Sequence, residues 1–311
     1  MTALPNILIL GHGEMGQAMD YLLKEQYTVE IWEKFPHLDH SYVCLEEGVP
    51  RADIVMFCLP VNPHCEVIKL IAPLLKKECL CVSIAKGLDE SGKTAAQIFA
   101  ENLPAQQPYA LLYGPMISEE IRAGRHAFGQ LGCHDFHSFE MMSQCFLQTS
   151  LSIIHSRDIV GISWSVILKN VYAMAFGIAD ELMLGDNVRG FLAVAALQEL
   201  NQIVMELGGH SGTPYHLAGL GDLITTATSL SSHHHELGRK LARGDTTEIS
   251  GEGPHTIQMI RQHQLFDIQR YPLFRLIHSI MQHPGDVRKN VEGYFKQYSR
   301  FLAPHFSTHD E

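Results

Sequence analysis

The chain has 311 residues, 46% of them hydrophobic and 18% charged, which excludes disordered, collagen-like and low-complexity architectures. Its 34 Asp+Glu against 23 Lys+Arg give a formal net charge of −11, and no basic stripe marks a nucleic-acid partner. At roughly 100–200 residues per domain the length suggests two domains.

In chain order, short apolar runs predict strands at 6–11 (NILILG), 29–34 (VEIWEK), 54–60 (IVMFCLP), 79–85 (CLCVSIA) and 109–115 (YALLYGP), with two more at 126–133 and 152–156. Uniformly apolar strands separated by helix-length connections predict a parallel sheet covered on both faces. Beyond about residue 155 the pattern changes to long apolar-periodic stretches, 161–184 and 189–207, which predict helices. The expected fold is α/β: a Rossmann-type doubly wound sheet over 1–156, followed by an all-helical domain over 157–311 for substrate binding and dimerisation.

The seven cysteines include no CxxC pair, so they read as reduced thiols rather than a disulfide frame or a zinc site. The start, MTALPNILILGHG, lacks the features of a secretory signal, and no apolar run reaches the ~18 residues of a membrane span. A cytoplasmic protein without a membrane span is expected.

Gly11-His12-Gly13-Glu14-Met15-Gly16 directly follows the first strand and opens a helix. In such a loop Gly11 permits the tight turn, Gly13 lets the backbone approach a pyrophosphate, and Gly16 lets the helix pack close to the strand. A tight turn of any α/β protein would look similar, but the position and the acidic Glu33 about 20 residues on favour a dinucleotide. Glu33 suits a ribose 2′-hydroxyl and so NAD; the neighbouring Lys34 leaves NADP open. Lys169 lies in an apolar helix, either snorkelling to solvent or held in a pocket where desolvation would lower its pKa. Asn170 beside it could orient it. Gly219-Leu220-Gly221-Asp222 suggests a sharp turn that aims Asp222, or an N-cap for the next helix.

With these residues in place the chain resembles the NAD(P)-dependent glycerol-3-phosphate dehydrogenase family. GHGEMG (11–16), AKGL (85–88), GP (114–115), LKNV (168–171), GDNVRG (185–190), GLGDLITT (219–226) and EGPHT (252–256) occur in the family's order. The resemblance implies a Rossmann domain followed by a helical one, and reduction of dihydroxyacetone phosphate. It implies that Lys169 protonates the carbonyl oxygen, that Lys86 holds the substrate, and that Asp222 is a substrate-site residue with a catalytic role; a carboxylate between the two lysines would keep both oriented. Asn170 and Thr226 match substrate-site residues, with Gly114, Ser232, His233 and His234 as further expected contacts. Expected cofactor contacts are Gly11, Gly13, Glu14, Met15, Gly16, Glu33, Lys34, Pro60, Lys86, Ser118 and Glu252.

The departures cluster on phosphate recognition. His233 stands where the family has an arginine, and imidazole offers one or two donors instead of a five-donor fork. Met116 replaces a small hydroxyl residue, Val61 a serine, and Val194-Ala195-Ala196 a Thr-Arg-Gly. Arg189, Arg239 and Lys240 are candidate compensating contacts. The triple histidine 233–235 reads as a loop whose diverging rings would not share a metal, so no metal is expected. The leading reading is reduction of dihydroxyacetone phosphate to sn-glycerol 3-phosphate by a homodimer using NAD, with NADP possible. The alternatives are a diverged dehydrogenase for another small hydroxy or keto compound, and a non-catalytic dinucleotide-binding paralogue.

Overall fold

In a computed structural model, which describes residues 4–36, 40–229, 232–245, 247 and 249–302, seven strands form one sheet. They are β1 (Asn6–Leu10), β2 (Thr28–Trp32), β3 (Ile54–Phe57), β4 (Leu80–Ser83), β5 (Tyr109–Tyr113), β6 (Ala127–Cys133) and β7 (Leu151–Ser156), in the order β2-β1-β3-β4-β5-β6-β7. The apolar strands have a simple cause. Ile7 and Ile9 point into one core while Leu8 and Leu10 point into the other, so both faces need aliphatic side chains. The order reverses at β1, between β2 and β3. That switch point places the carboxyl ends of β1 and β3 around one crevice.

The first five strands run parallel, as expected for a doubly wound sheet, but β6 pairs antiparallel to β5 and β7 then runs parallel to β6. The link from β5 to β6 holds only the 5-residue helix α5 (Ser118–Arg122) and makes no full crossover. The other helices of this half are α1 (Glu14–Leu23), α2 (Leu45–Arg51), α3 (His64–Ile71), α4 (Ala95–Asn102) and α6 (Phe136–Phe146).

Only helices follow β7 among the described residues: α7 (Ile159–Glu181), α8 (Asp186–Glu206), α9 (Asp222–Thr228), α10 (His233–Ala242), α11 (Glu252–His263), α12 (Pro272–Gln282) and α13 (Val287–Leu302). Asp158 starts α7 by accepting the Gly161 amide at 2.8 Å, and its other oxygen accepts the Thr213 hydroxyl at 2.6 Å. By length and composition α7 is the one described helix that could cross a membrane, contrary to the expectation that no apolar run is long enough. Its 18-residue apolar window is 94% buried inside the protein, so its all-round apolar character is that of a core helix.

Helix α10 packs on α7 backbone to backbone. A Cβ on Gly177 would lie 1.9 Å from the His235 carbonyl oxygen, and one on Gly238 would lie 2.1 Å from that of Met174. This contact puts His233, His234 and His235 in the first turn of a helix capped by the Ser232 hydroxyl, not in a loop.

Candidate active site

The Gly-rich loop follows the roles its glycines suggest. Gly11 has φ +95, and its amide donates to the Trp32 carbonyl at 2.8 Å, tying the turn to β2. A Cβ on Gly16 would stand 2.0 Å from the Gly11 carbonyl oxygen, so no side chain fits there. A Cβ on Gly13 would meet nothing within 4 Å. The backbone at Gly13 is thus open to a pyrophosphate, and no side chain caps the N-terminus of α1 behind it. A dinucleotide fits this cradle. Glu33 reaches it from the end of β2, its Oε2 accepting the His12 amide at 2.7 Å, while Lys34 is exposed alongside.

Glu14 and Ser118, both expected to touch the cofactor, bond to each other: the Ser118 hydroxyl donates to Glu14 Oε2 at 2.9 Å. Arg122 adds a second donor at 2.6 Å, a pin between α1 and α5 that no sequence pattern announces. Met15 packs against the core on its side of the sheet. The Pro60 carbonyl accepts His64 Nδ1–H at 2.9 Å, so the end of β3 is fixed by a buried imidazole. Burial holds that imidazole down to about 4. The substituted Val61 and Met116 are both buried in the core.

A second group of residues meets beside the carboxyl ends of β4 and β5. Lys86, just past β4, donates through Nζ to Asp222 Oδ2 at 2.8 Å and to the Gly114 carbonyl at 3.2 Å. Lys169, in mid-α7, comes within 3.2 Å of the same Asp222 oxygen and donates to Thr226 Oγ1 at 2.6 Å. The Thr226 hydroxyl spends its own proton on the Asp222 carbonyl oxygen at 2.7 Å, so towards Lys169 it acts only as an acceptor. Asn170 Nδ2 donates to Glu252 Oε2 at 2.9 Å.

Lys169 is therefore pocketed, at 5% exposure, and does not snorkel. Burial pulls its ammonium down to about 8, against the attraction of Asp222 and with the help of the Lys86 charge. Burial alone would raise the Asp222 carboxyl, but the two ammonium groups outweigh it and hold it below the usual range. Glu252 keeps solvent-accessible surface yet is crowded by protein. Desolvation raises its carboxyl while Lys169 and Lys86 pull the other way.

Asp222 is aimed differently from the expected sharp turn or N-cap. A wide π-type turn (Leu217–Gly221) runs straight into α9, Gly221 stands at the cap position, and Asp222 is the first helical residue. Gly219 serves a close approach, since a Cβ there would lie 2.1 Å from the Pro214 carbonyl oxygen.

The three neighbouring histidines diverge. His233 is exposed and donates Nε2–H to the Ser250 carbonyl at 2.9 Å. His234 turns towards Gly253 and Asn170, and its Nε2 is buried without a partner. Burial, then the Lys169 charge, lowers its imidazole to about 3, so it is neutral at physiological pH. His235 bonds through Nε2 to Asp180 Oδ2 at 2.7 Å. Arg189 closes on the same carboxylate at 2.7 and 2.5 Å, so it is a structural tie and not a free phosphate contact. The local pattern gave no warning of this, because Asp180 sits across the α7–α8 turn.

The arrangement defines a class: a dinucleotide-binding sheet domain whose lysine shares one buried aspartate with a lysine of a helical domain. Residues 33–137 match the family model described as the NAD-dependent glycerol-3-phosphate dehydrogenase N-terminus, and residues 158–292 match its C-terminus. The glycerol-3-phosphate dehydrogenase (NAD(P)+) of Synechococcus elongatus is 32% identical over 264 residues, covering 82% of this chain and 84% of that one. Its Synechocystis counterpart is 29% identical over 307 residues, covering 94% and 95%. The crystal structure of glycerol-3-phosphate dehydrogenase from Coxiella burnetii shares the fold, with a TM-score of 0.80 at 23% identity over 94% of this chain and 98% of that one. The chain belongs to the NAD-dependent glycerol-3-phosphate dehydrogenase family, whose cofactor is NAD or NADP.

Proposed function

We propose that the protein reduces dihydroxyacetone phosphate to sn-glycerol 3-phosphate with Lys169 as the proton donor. The observation that carries this is the Lys169 ammonium itself. It donates to Thr226 Oγ1 at 2.6 Å and pairs with Asp222 Oδ2 at 3.2 Å, which leaves N–H capacity for a carbonyl oxygen. Bound nicotinamide supplies the hydride to the carbonyl carbon. The chain's part is to receive the charge that develops on oxygen. Lys86 and Lys169 share one carboxylate, so the trio retains a net positive charge, with Lys169 and Asp222 buried and Lys86 partly exposed. A lysine near 8 still holds its proton at neutral pH and gives it up readily. The N–H bond of Lys169 breaks as the new O–H bond forms, and solvent returns the proton afterwards. Glu252 fixes Asn170, the residue next to Lys169, and Gly11, Gly13 and Gly16 with Glu33 would hold the dinucleotide.

A second reading, another small carbonyl substrate without phosphate, is favoured by one observation. His233 occupies the place of the family's arginine and already spends its Nε2–H on Ser250. Oxidation of NADH with dihydroxyacetone phosphate and with a panel of unphosphorylated ketones separates the two. Turnover that prefers the phosphate ester supports the first reading, and preference for a neutral ketone replaces it with the second. Under the first reading His233→Arg is expected to lower KM for dihydroxyacetone phosphate by restoring the planar fork. The same reading makes the protein a cytoplasmic homodimer with the domain division at 156/157, on the family resemblance; analytical ultracentrifugation tests the dimer.

A further inference from the structure

The loop that carries Lys86, residues 84–94 between β4 and α4, is stiff within itself. Asp89 Oδ1 accepts the amides of Ser91 at 2.9 Å and Lys93 at 2.8 Å and the Ser91 hydroxyl at 2.7 Å. Leu88 and Thr94 form an antiparallel bridge across it, and Gly92 turns the chain at φ +77. Such a unit moves as one body, so whatever holds its far end also sets the near end at Lys86.

Two imidazoles from the helical half hold that far end. His255 Nε2–H donates to the Leu88 carbonyl at 3.0 Å, and His263 Nε2–H donates to the Glu90 carbonyl at 3.0 Å. The fit at His263 is close: a Cβ on Gly92 would come within 2.9 Å of its ring. Both histidines belong to α11, whose first residue, Glu252, accepts from Asn170 beside Lys169. One helix thus grips the Lys86 loop through His255 and His263 and the Lys169 helix through Glu252.

We propose that His255 and His263 are positioning residues that set Lys86 against Asp222 and Lys169. The inference rests on the catalytic reading above. Lys86 must reach an aspartate 136 residues away in the chain at 2.8 Å, and nothing in its own flexible stem fixes that distance. The frame comes from the loop, with Asn170 Nδ2 donating to the Lys86 carbonyl at 3.4 Å, and the loop's far end is held by α11 together with Asn62 Oδ1, which accepts the Glu90 amide at 2.9 Å. Displacements of about an ångström at a catalytic group cost up to ~10² in rate.

The test combines hydrogen exchange of the 86–92 amides with a double-mutant cycle. In the His255→Leu/His263→Leu variant exchange across the loop should rise severalfold. With dihydroxyacetone phosphate kcat/KM should fall about tenfold, two modest hydrogen bonds' worth. In a Lys86→Met background the same pair should cost nothing further, because the residue they act through is gone. The His255→Gln/His263→Gln variant, which keeps an N–H at each place, should recover most of the loss. Unchanged exchange, or an equal cost with and without Lys86, overturns the proposal. A wild-type enzyme inactive on dihydroxyacetone phosphate but with exchange raised in the Leu variant would sink the proposed function and leave the clamp standing.

Discussion

The Gly-rich loop and the lysine–aspartate cluster are built by opposite means. The loop is contiguous, Gly11 to Gly16, and its chemistry lies in backbone groups that glycine leaves uncovered. The cluster is drawn from residues 86, 169, 170, 222, 226 and 252, and its chemistry lies in side chains that burial brings into conflict and pairing reconciles. A short motif can therefore specify a cradle for phosphates. A lysine poised near 8 needs several helices and the carboxyl ends of a sheet to hold it.

The largest effect is expected at the cluster. Lys169→Ala should lower kcat by at least ~10²–10⁴, the usual worth of general acid catalysis with charge stabilisation added. NADH affinity should stay within a few-fold, because in the proposed reaction the lysine serves the carbonyl and not the dinucleotide. Stopped-flow single turnovers and a fluorescence titration check both halves. A variant that retains more than about a tenth of wild-type kcat would move the proton donor elsewhere.

The loop should respond in the reverse way. Gly16→Ala drives a methyl against the Gly11 carbonyl oxygen and should cost ~1–3 kcal/mol of folding stability, read by urea denaturation. Gly13→Ala meets no protein atom, so its stability should match the wild type while NADH binding weakens. If Gly13→Ala destabilises as much as Gly16→Ala, the division of labour between the two glycines is wrong.

The same contrast explains what could be read from residues alone. The strands, the tight Gly-rich turn and the helical second half are legible because each depends on neighbours in the chain. Lys169 was undecided between snorkelling and burial, and the answer came from Asp222 and Thr226, over 50 residues on. The histidines 233–235 read as a loop because histidine is an indifferent helix former; the bare backbone contacts at Gly177 and Gly238 impose the helix. Arg189 reads as available for phosphate, but it bonds Asp180, whose carboxylate His235 also shares. The antiparallel β6 was invisible because an apolar run reports burial, not direction.

A smaller, pH-dependent effect follows from the cluster. The Lys169 ammonium is held down to about 8 from an ordinary 10.5, so the proton-donating form prevails below about pH 8 and is lost above it. For carbonyl reduction kcat/KM should be flat on the acid side of that value and fall about tenfold per unit beyond it. Asp222→Asn removes the carboxylate that favours the charged lysine, and should move the fall to lower pH. A profile flat to pH 9.5 would show that no group near 8 donates the proton.

The smallest effect tests the loop's choice of cofactor. Glu33 Oε2 accepts the His12 amide at 2.7 Å, and Oε1 faces the Phe35 amide at 3.4 Å, so backbone donors pin the carboxylate beside the phosphate cradle. Its remaining lone pairs suit a ribose hydroxyl, whereas a 2′-phosphate would bring negative charge against it. Across a half-solvated gap such repulsion amounts to about five- to tenfold in affinity, widening at low ionic strength. NADH should bind more tightly than NADPH by that factor in a fluorescence titration. Glu33→Ser should erase the difference by releasing NADPH from repulsion, with little change for NADH. Tighter NADPH binding in the wild type would mean that the exposed Lys34 alongside outweighs Glu33, and that the second strand ends in a phosphate contact instead of a hydroxyl acceptor.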